Sequence, residues 1–273
     1  MRSNLVRLDA LLVKRGLARS RDEARELIET GLVRIDGLVA SKGSTMVGTE
    51  VNVSVQRGTE ERWVSRGAYK LLRALEVFQL DPFGRICVDV GASTGGFTQV
   101  LLRRGASRVY SVDVGYGQMA WEVRNDPRVV VMERTNARHL SPSLIPEPCQ
   151  MGVCDASFIS LKLIMPPMLS VMDSWCDVVT LVKPQFEVGR ERVGKKGVVR
   201  DPALHMEVLV DMIRFVEKLP GWWVANLTYS PIRGPEGNIE FLMHVRPGSA
   251  PDGWELSEAQ VEELVQRAHG EVT

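Results

Sequence analysis

Three observations predict an α/β fold with a mostly parallel sheet, preceded by a small ααβ module. From about residue 86 onward, short apolar runs alternate with segments of helical period, the pattern of a parallel sheet covered by helices on both faces. Residues Cys87 to Phe97 read C-V-D-V-G-A-S-T-G-G-F, an apolar strand running into an acid and a turn with Gly91, Gly95 and Gly96. The first 55 residues carry a different pattern, and the polar stretch Arg57 to Ser65 separates the two. With 273 residues, 44% of them apolar, the chain is long enough for one large domain and a small one.

Leu5, Leu8, Leu11 and Leu12 recur at helical spacing and stop at Gly16, which suits a helix end because it accepts positive φ. Ser20 is placed to cap a second helix with Ala24, Leu27 and Ile28 on its apolar face, Glu23 completes a capping box, and Gly31 ends the helix. In Val33 to Val39, Asp36-Gly37 signals a hairpin turn, and a strand over Val51 to Val55 follows. The expected division is 1–60, 61–248 and an acidic tail at 249–273.

Ser65 is positioned to cap a helix carrying Leu71, Leu72, Leu75 and Phe78, which Pro82 ends. Strands are expected at 86–90, 108–113, 128–132, 151–155 and 177–182, with helices at 97–104, 161–171 and 203–218. The last two strands, near 222–230 and 238–246, are close enough to form an antiparallel edge pair. Ser257 and Gln260 make a second capping box, opening an acidic helix with Val261, Leu264, Val265 and Ala268 on one face.

Formal net charge is zero, so charge argues for a nucleic-acid partner only through segregation. That segregation is present. Residues 1–35 hold eight Lys/Arg against five Asp/Glu, residues 183–200 hold six against two, and residues 249–273 hold one against six. The four cysteines form no C-x-x-C pair, which suits buried free thiols in a reducing cytoplasm. The start of the chain is polar again by Arg7, unlike a targeting segment, and no run of about 18 apolar residues offers a membrane span. A cytoplasmic protein is expected, with no stable membrane association and no metal.

In an open parallel sheet a ligand sits beyond the C-terminal strand ends, here at the loop 91–97. Glycines there leave room for a ligand, and the helix starting near Phe97 offers unpaired N–H groups. The next strand ends in Asp113, where a carboxylate accepts hydrogen bonds from ribose hydroxyls. A dinucleotide site wants G-x-G-x-x-G, whereas this loop is G-x-x-x-G-G. S-adenosylmethionine carries no phosphate, and Asp89, Asp155 and the loop amides are candidates for its amino-acid moiety and sulfonium. The spacing favours that methyl donor; a dinucleotide and a purely structural turn stay open.

Four polar residues stand where such a sheet presents chemistry. Asp155 and Lys183 each end a strand, Lys70 is on the first helix of the large domain, and Glu240 lies in the edge pair. Methylating a ribose hydroxyl needs a base, a group that orients the hydroxyl and a line to the donor methyl. A lysine serves as that base when desolvation or a second lysine lowers its proton affinity. Lys183 beside Lys70, flanked by Asp155 and Glu240, fits; routine surface charges are the rival reading. A cysteine nucleophile at Pro148-Cys149 is disfavoured, because that residue precedes its strand.

Taken in order, R-L-D-x-L-L-V, R-W-V-S-R-G-A-Y-K, D-V-G-A-S-T-G-G-F, V-D-V-G-Y-G-Q, E-R-T-N-A-R, D-A-S-F-I-S-L and V-K-P-Q-F-E resemble the TlyA-type proteins. These join an S4 RNA-binding domain to an FtsJ-like ribose methyltransferase, and some were labelled haemolysins. The resemblance covers the chain to about Gly248. It implies a class I, Rossmann-like methyltransferase with a seven-stranded sheet, S-adenosylmethionine as donor, and 2′-O-methylation of cytidine in ribosomal RNA. It also implies a Lys-Asp-Lys-Glu catalytic set at Lys70, Asp155, Lys183 and Glu240. The donor loop would comprise Gly91, Ser93, Gly95, Gly96 and Phe97, with Asp113 on the ribose and Asn136 near the adenine.

An S4-like module would track phosphates with Arg7, Lys14, Arg19 and Arg21, and with Arg25 beside them. In the large domain Arg66, Arg190, Arg192, Lys195 and Lys196 complete the candidate RNA set, the last four on a glycine-punctuated segment soon after Lys183. Phosphate contacts give salt-dependent affinity without sequence choice. The competing readings are a non-catalytic RNA-binding or ribosome assembly factor, and a membrane-active protein, for which the chain offers no spanning segment.

Overall fold

The computed structural model describes residues 5–29, 31–40, 42–55, 63–194 and 197–272, without the side chains of Glu29, Leu38, Val39 and Arg190. The chain divides into two compact units, Met1–Arg62 and Trp63–Thr273.

The small unit runs β1 (Leu5–Arg7), α1 (Leu8–Lys14), α2 (Arg21–Glu29), β2 (Val33–Ile35), β3 (Leu38–Val39), β4 (Met46–Gly48) and β5 (Val53–Val55). Leu8, Leu11, Leu12, Ala24, Ile28 and Val33 form its core, as helical spacing requires. Leu5 does not start the helix. It pairs with Gly48 in an antiparallel ladder, so three-residue strands that carry no periodicity of their own satisfy each other's backbone groups. Ser20 Oγ accepts the Glu23 N–H at 3.1 Å, but the Glu23 carboxylate accepts from the Arg19 N–H, so the expected capping box is only half made.

In the large unit α3 (Gly67–Phe78) precedes β6 (Ile86–Val90), α4 (Gly96–Arg103), β7 (Arg108–Val112), α5 (Trp121–Arg124) and β8 (Val129–Met132). Then come β9 (Cys149–Cys154), α6 (Leu161–Leu169), β10 (Met172–Val182), α7 (Pro184–Glu187), α8 (Pro202–Glu217), β11 (Trp222–Tyr229), β12 (Phe241–Pro247) and α9 (Glu258–Glu271). The seven strands lie in the order β11-β12-β10-β9-β6-β7-β8, with β12 antiparallel to both neighbours and the other pairs parallel. One apolar layer packs α3 and α4 on the sheet, and the other packs α6, α8 and α9. The order reverses beside β6, which puts the open crevice at the C-terminal ends of β6 and β9.

Ser65 does not cap α3. Arg66 occupies the cap position, and Ser65 contributes only its carbonyl, which accepts the Ala68 N–H at 3.2 Å. At the other end of the sheet, Asp177 of β10 ties β12 to the residue before β6 by accepting from Arg85 at 2.7 Å and contacting His244 at 2.9 Å and Arg246 at 3.4 Å. Burial works against its charge, and the His244 and Arg85 contacts outweigh it, holding the carboxyl down at about 2.

The acidic C-terminal helix is part of the large unit's core: Val261, Val265 and Ala268 are buried, and the Ser257–Gln260 capping box forms as expected. His205 on α8 meets His269 on α9 with ring nitrogens 2.9 Å apart. Burial first, and then the neighbouring His269, hold His205 down at about 4. An unfolded histidine takes its proton near its ordinary value of about 6.5. Between those values the unfolded chain binds more protons, so stability is complete above about pH 6.5 and falls until about pH 4. Chemical denaturation across that window is expected to show a loss on the order of 3 kcal/mol from this group, absent in His205→Gln.

Candidate active site

At the C-terminal edge of the sheet the loops after β6, β7 and β9 are knitted together. Gly91 and Ala92 donate to the Val112 carbonyl at 2.9 and 3.2 Å, and the Asp155 N–H donates to the Val90 carbonyl at 2.9 Å. The glycines clear space for the protein itself. A Cβ on Gly91, whose φ is +82°, would lie 2.9 Å from backbone atoms of Asp155 and Ala156. A Cβ on Gly96 would lie 2.2 Å from Ser65 Oγ, and one on Gly95 would lie 3.0 Å from Val123. The glycines of this turn therefore answer first to protein neighbours: the segment after β9, the segment leading into α3, and α5.

Beside this loop opens a cleft of about 440 Å³. Of the residues expected to hold a cofactor, Gly91, Ser93, Asp113 and Asn136 line it, together with Asp155. Asp113 is fixed by two backbone donors, Ser93 N–H at 2.8 Å and Gly115 N–H at 2.6 Å. Asn136 accepts the Arg138 N–H at 3.1 Å and so stiffens the opposite wall. Val112, Val114, Ile159 and Ile164 supply apolar surface.

Asp89, Gly95, Gly96 and Phe97 do not line the cleft. Asp89 is fully enclosed and accepts Thr98 Oγ1 at 2.6 Å, while Thr98 also meets Ser111 Oγ at 2.8 Å. Burial, opposed by the Thr98 bond, raises its carboxyl to about 7. Phe97 is a core residue packed with the α3 and α4 layer. Asp89, on β6, is turned toward α4 by strand alternation, and Phe97, on α4, faces the same layer, so both support the loop from beneath.

Lys70, Asp155, Lys183 and Glu240 converge. Lys70 Nζ lies 2.7 Å from Glu240 Oε2 and 3.5 Å from Asp155 Oδ2, and Lys183 Nζ lies 2.6 Å from Asp155 Oδ1. Lys183 also donates to Ser157 Oγ at 2.7 Å. Lys70 and Lys183 are each 6% exposed and Glu240 is 1% exposed. Burial works to strip the proton from Lys70, and the carboxylates of Asp155 and Glu240 prevail, so its pKa is raised and it stays an ammonium. Glu240 comes from the residue just before β12, and Gly234 makes room for it: a Cβ there would lie 2.5 Å from Glu240 Oε1. Cys149 starts β9 at the far end of the sheet and is buried, its thiol pushed up to about 12 by that burial, which removes it as a nucleophile.

Among the candidate RNA contacts, Arg7 and Arg21 both reach the fully buried Asp9, at 2.8 and 3.2 Å, and Arg25 joins them at 3.5 Å. Three guanidiniums around one carboxylate leave a local excess of positive charge held in fixed positions. Arg19 pairs with Glu23 at 3.5 Å, and Lys14 is exposed. Arg66 is exposed at the start of α3, and Arg192 is paired with Glu207 at 2.7 Å. Lys195 and Lys196 lie outside the described residues, as does the side chain of Arg190. Sequence reasoning missed Ser157 and Glu187. Glu187 accepts Ser160 Oγ at 2.6 Å and the Leu161 N–H at 2.8 Å, and the D-A-S-F and K-P-Q-F-E runs that contain these residues were the available signal.

The model for FtsJ-like methyltransferases matches residues 63–246, and the model for S4 domains matches residues 6–53. A Mycobacterium tuberculosis protein named 16S/23S rRNA (cytidine-2′-O)-methyltransferase TlyA is 49% identical, covering 97% of this chain and 97% of that protein. Hemolysin A of Brachyspira hyodysenteriae is 38% identical over 88% of this chain and 99% of its own length. A solved structure from Streptococcus thermophilus, described as a candidate hemolysin, superposes with a TM-score of 0.74 at 39% identity, covering 98% of this chain and 97% of the other.

The glycine geometry sets a measurable contrast. Gly117 has φ +69° with nothing near its would-be Cβ, so Gly117→Ala is expected to cost only backbone strain, about 1 kcal/mol. Gly91→Ala adds a clash with backbone that cannot swing away, and denaturant unfolding is expected to show about 2 kcal/mol more loss.

Proposed function

This chain belongs to the TlyA family, in which an S4 domain precedes an FtsJ-like methyltransferase domain, and from that premise we propose that it methylates the 2′-hydroxyl of a cytidine in ribosomal RNA, with S-adenosylmethionine as donor. The observation that carries this reading is the convergence of the buried Lys70, Lys183 and Glu240 on Asp155, which lines the cleft. The cleft suits the donor: Asp113 would take its ribose hydroxyls, Asn136 its adenine edge, and the Gly91–Ser93 turn its amino-acid end. When bound, the donor supplies an electrophilic methyl group on a positively charged sulfur.

The chain's own residues then divide the work. Lys183 Nζ takes the proton of the ribose hydroxyl, and Asp155 at 2.6 Å aims it. Lys70 stays charged and faces the developing oxyanion, while Glu240 at 2.7 Å keeps it in place. Asp89 acts beneath the loop and contributes no ligand contact.

The S4 unit supplies RNA affinity through the Arg7, Arg21 and Arg25 cluster, and the protein works in the cytoplasm, where ribosomes are. Among the described residues no helix is long and apolar enough to cross a membrane.

Ribosomal subunits from cells lacking the protein are the substrate of choice for a labelled-methyl assay. Lys183→Ala is expected to lose about 10²–10⁴-fold in single-turnover rate while calorimetry shows unchanged donor binding; a full rate would sink the base assignment. Arg21→Ala is expected to weaken RNA binding and lower the slope of log affinity against log salt by about 0.7–0.9.

A further inference from the structure

We propose that Ser157 is a positioning residue for Lys183: its hydroxyl aims the amine, accepts the ammonium as it forms and connects it to solvent. The proposal rests on reading Lys183 as the base. A base that gains a proton in each turnover must lose it again, and Lys183, Lys70 and Glu240 are sealed, with 6%, 6% and 1% exposure.

Three oxygens surround Lys183 Nζ: Asp155 Oδ1 in close contact at 2.6 Å, and Ser157 Oγ and the Asp155 carbonyl accepting at 2.7 and 3.5 Å. A backbone carbonyl carries no proton onward. Asp155 already serves as counter-ion to both lysines. A hydroxyl accepts one hydrogen bond while donating another, and Ser157 is exposed on the wall of the cleft. In the proton step, an N–H proton of Lys183 moves to Ser157 Oγ as the serine's own proton passes to a water. One proton leaves for bulk solvent, the lysine returns to its amine form and the serine is unchanged.

The fold holds this contact from both sides. Ser157 precedes Phe158, a non-glycine residue at φ +63° whose ring packs on Phe186 with centroids 5.3 Å apart. Three residues further on, Ser160 and Leu161 are bonded to Glu187 at 2.6 and 2.8 Å. Phe186 and Glu187 belong to α7, the turn that begins directly after Lys183. The segment carrying the lysine therefore clamps the segment carrying the serine.

The test uses the full chain with lysine labelled by nitrogen-15 and no donor added, the Lys183 Nζ signal being assigned with Lys183→Arg. Ser157→Ala is expected to slow exchange of the Lys183 Nζ protons with water about tenfold, and Ser157→Thr, which keeps the hydroxyl, to restore it. In single-turnover methylation Ser157→Ala is expected to lose about 10–100-fold, the loss of one hydrogen bond to a charged group, with donor and RNA affinities unchanged and Thr again restoring the rate. Full rate and unaltered exchange in Ser157→Ala, alongside an inactive Lys183→Ala, would overturn this proposal and leave the base reading standing. Equal losses in the Ala and Thr variants would overturn it in favour of loop packing. A fully active Lys183→Ala would bring down the base reading and this proposal with it.

Discussion

Asp155 lies against both Lys70 and Lys183, at 3.5 and 2.6 Å, and the arrangement of the large unit follows from making so crowded a buried group tolerable. An isolated charge taken out of water costs several kcal/mol, and a pair recovers this only with good geometry and further partners. Here the partners are Glu240 for Lys70 and Ser157 for Lys183, at 2.7 Å each. Each member depends on another for a partner, so the four residues are interdependent in stability as well as in the proposed chemistry.

That interdependence explains why so much of the neighbourhood serves backbone placement. Asp155 sits at the tip of a central parallel strand, where its N–H donates to Val90 and its carbonyl crowds Gly91. Gly91 is thus a condition for Asp155 being where it is. Gly234 does the same for Glu240, whose carboxylate occupies the space a side chain at 234 would need. On the other side of the loop, Gly96 lets α3 approach, and α3 carries Lys70. Each of these glycines answers to a neighbouring protein atom.

Much of this was legible in the chain. Alternating apolar runs predicted the strand positions and the antiparallel pairing of the last two, because strand and helix periods differ. Residues placed at strand ends, Asp113, Asp155 and Lys183, were found at the site because a parallel sheet delivers every such end to one edge. Other expectations failed for identifiable reasons. Leu5 continues a helical spacing yet pairs as a strand, since its partner is a three-residue segment with no pattern. Ser65 precedes a helix without capping it, and Asp89 ends an apolar strand yet turns into the layer behind it.

Local order along the chain determined most element types and the residue kinds available at the sheet's C-terminal edge, because hydrophobic period and turn chemistry act over a few residues. Only the tertiary structure decided which of those residues meet. Lys70, Asp155, Lys183 and Glu240 are separated by tens of residues, and their distances depend on how α3, β9, β10 and β12 pack. The direction of a side chain at the end of a strand, toward the cleft for Asp113 and into the core for Asp89, is likewise set by which layer has space and a hydrogen-bond partner for it. The glycine turn could be read from the sequence, but what it makes room for became visible only once Asp155 was seen lying against Gly91.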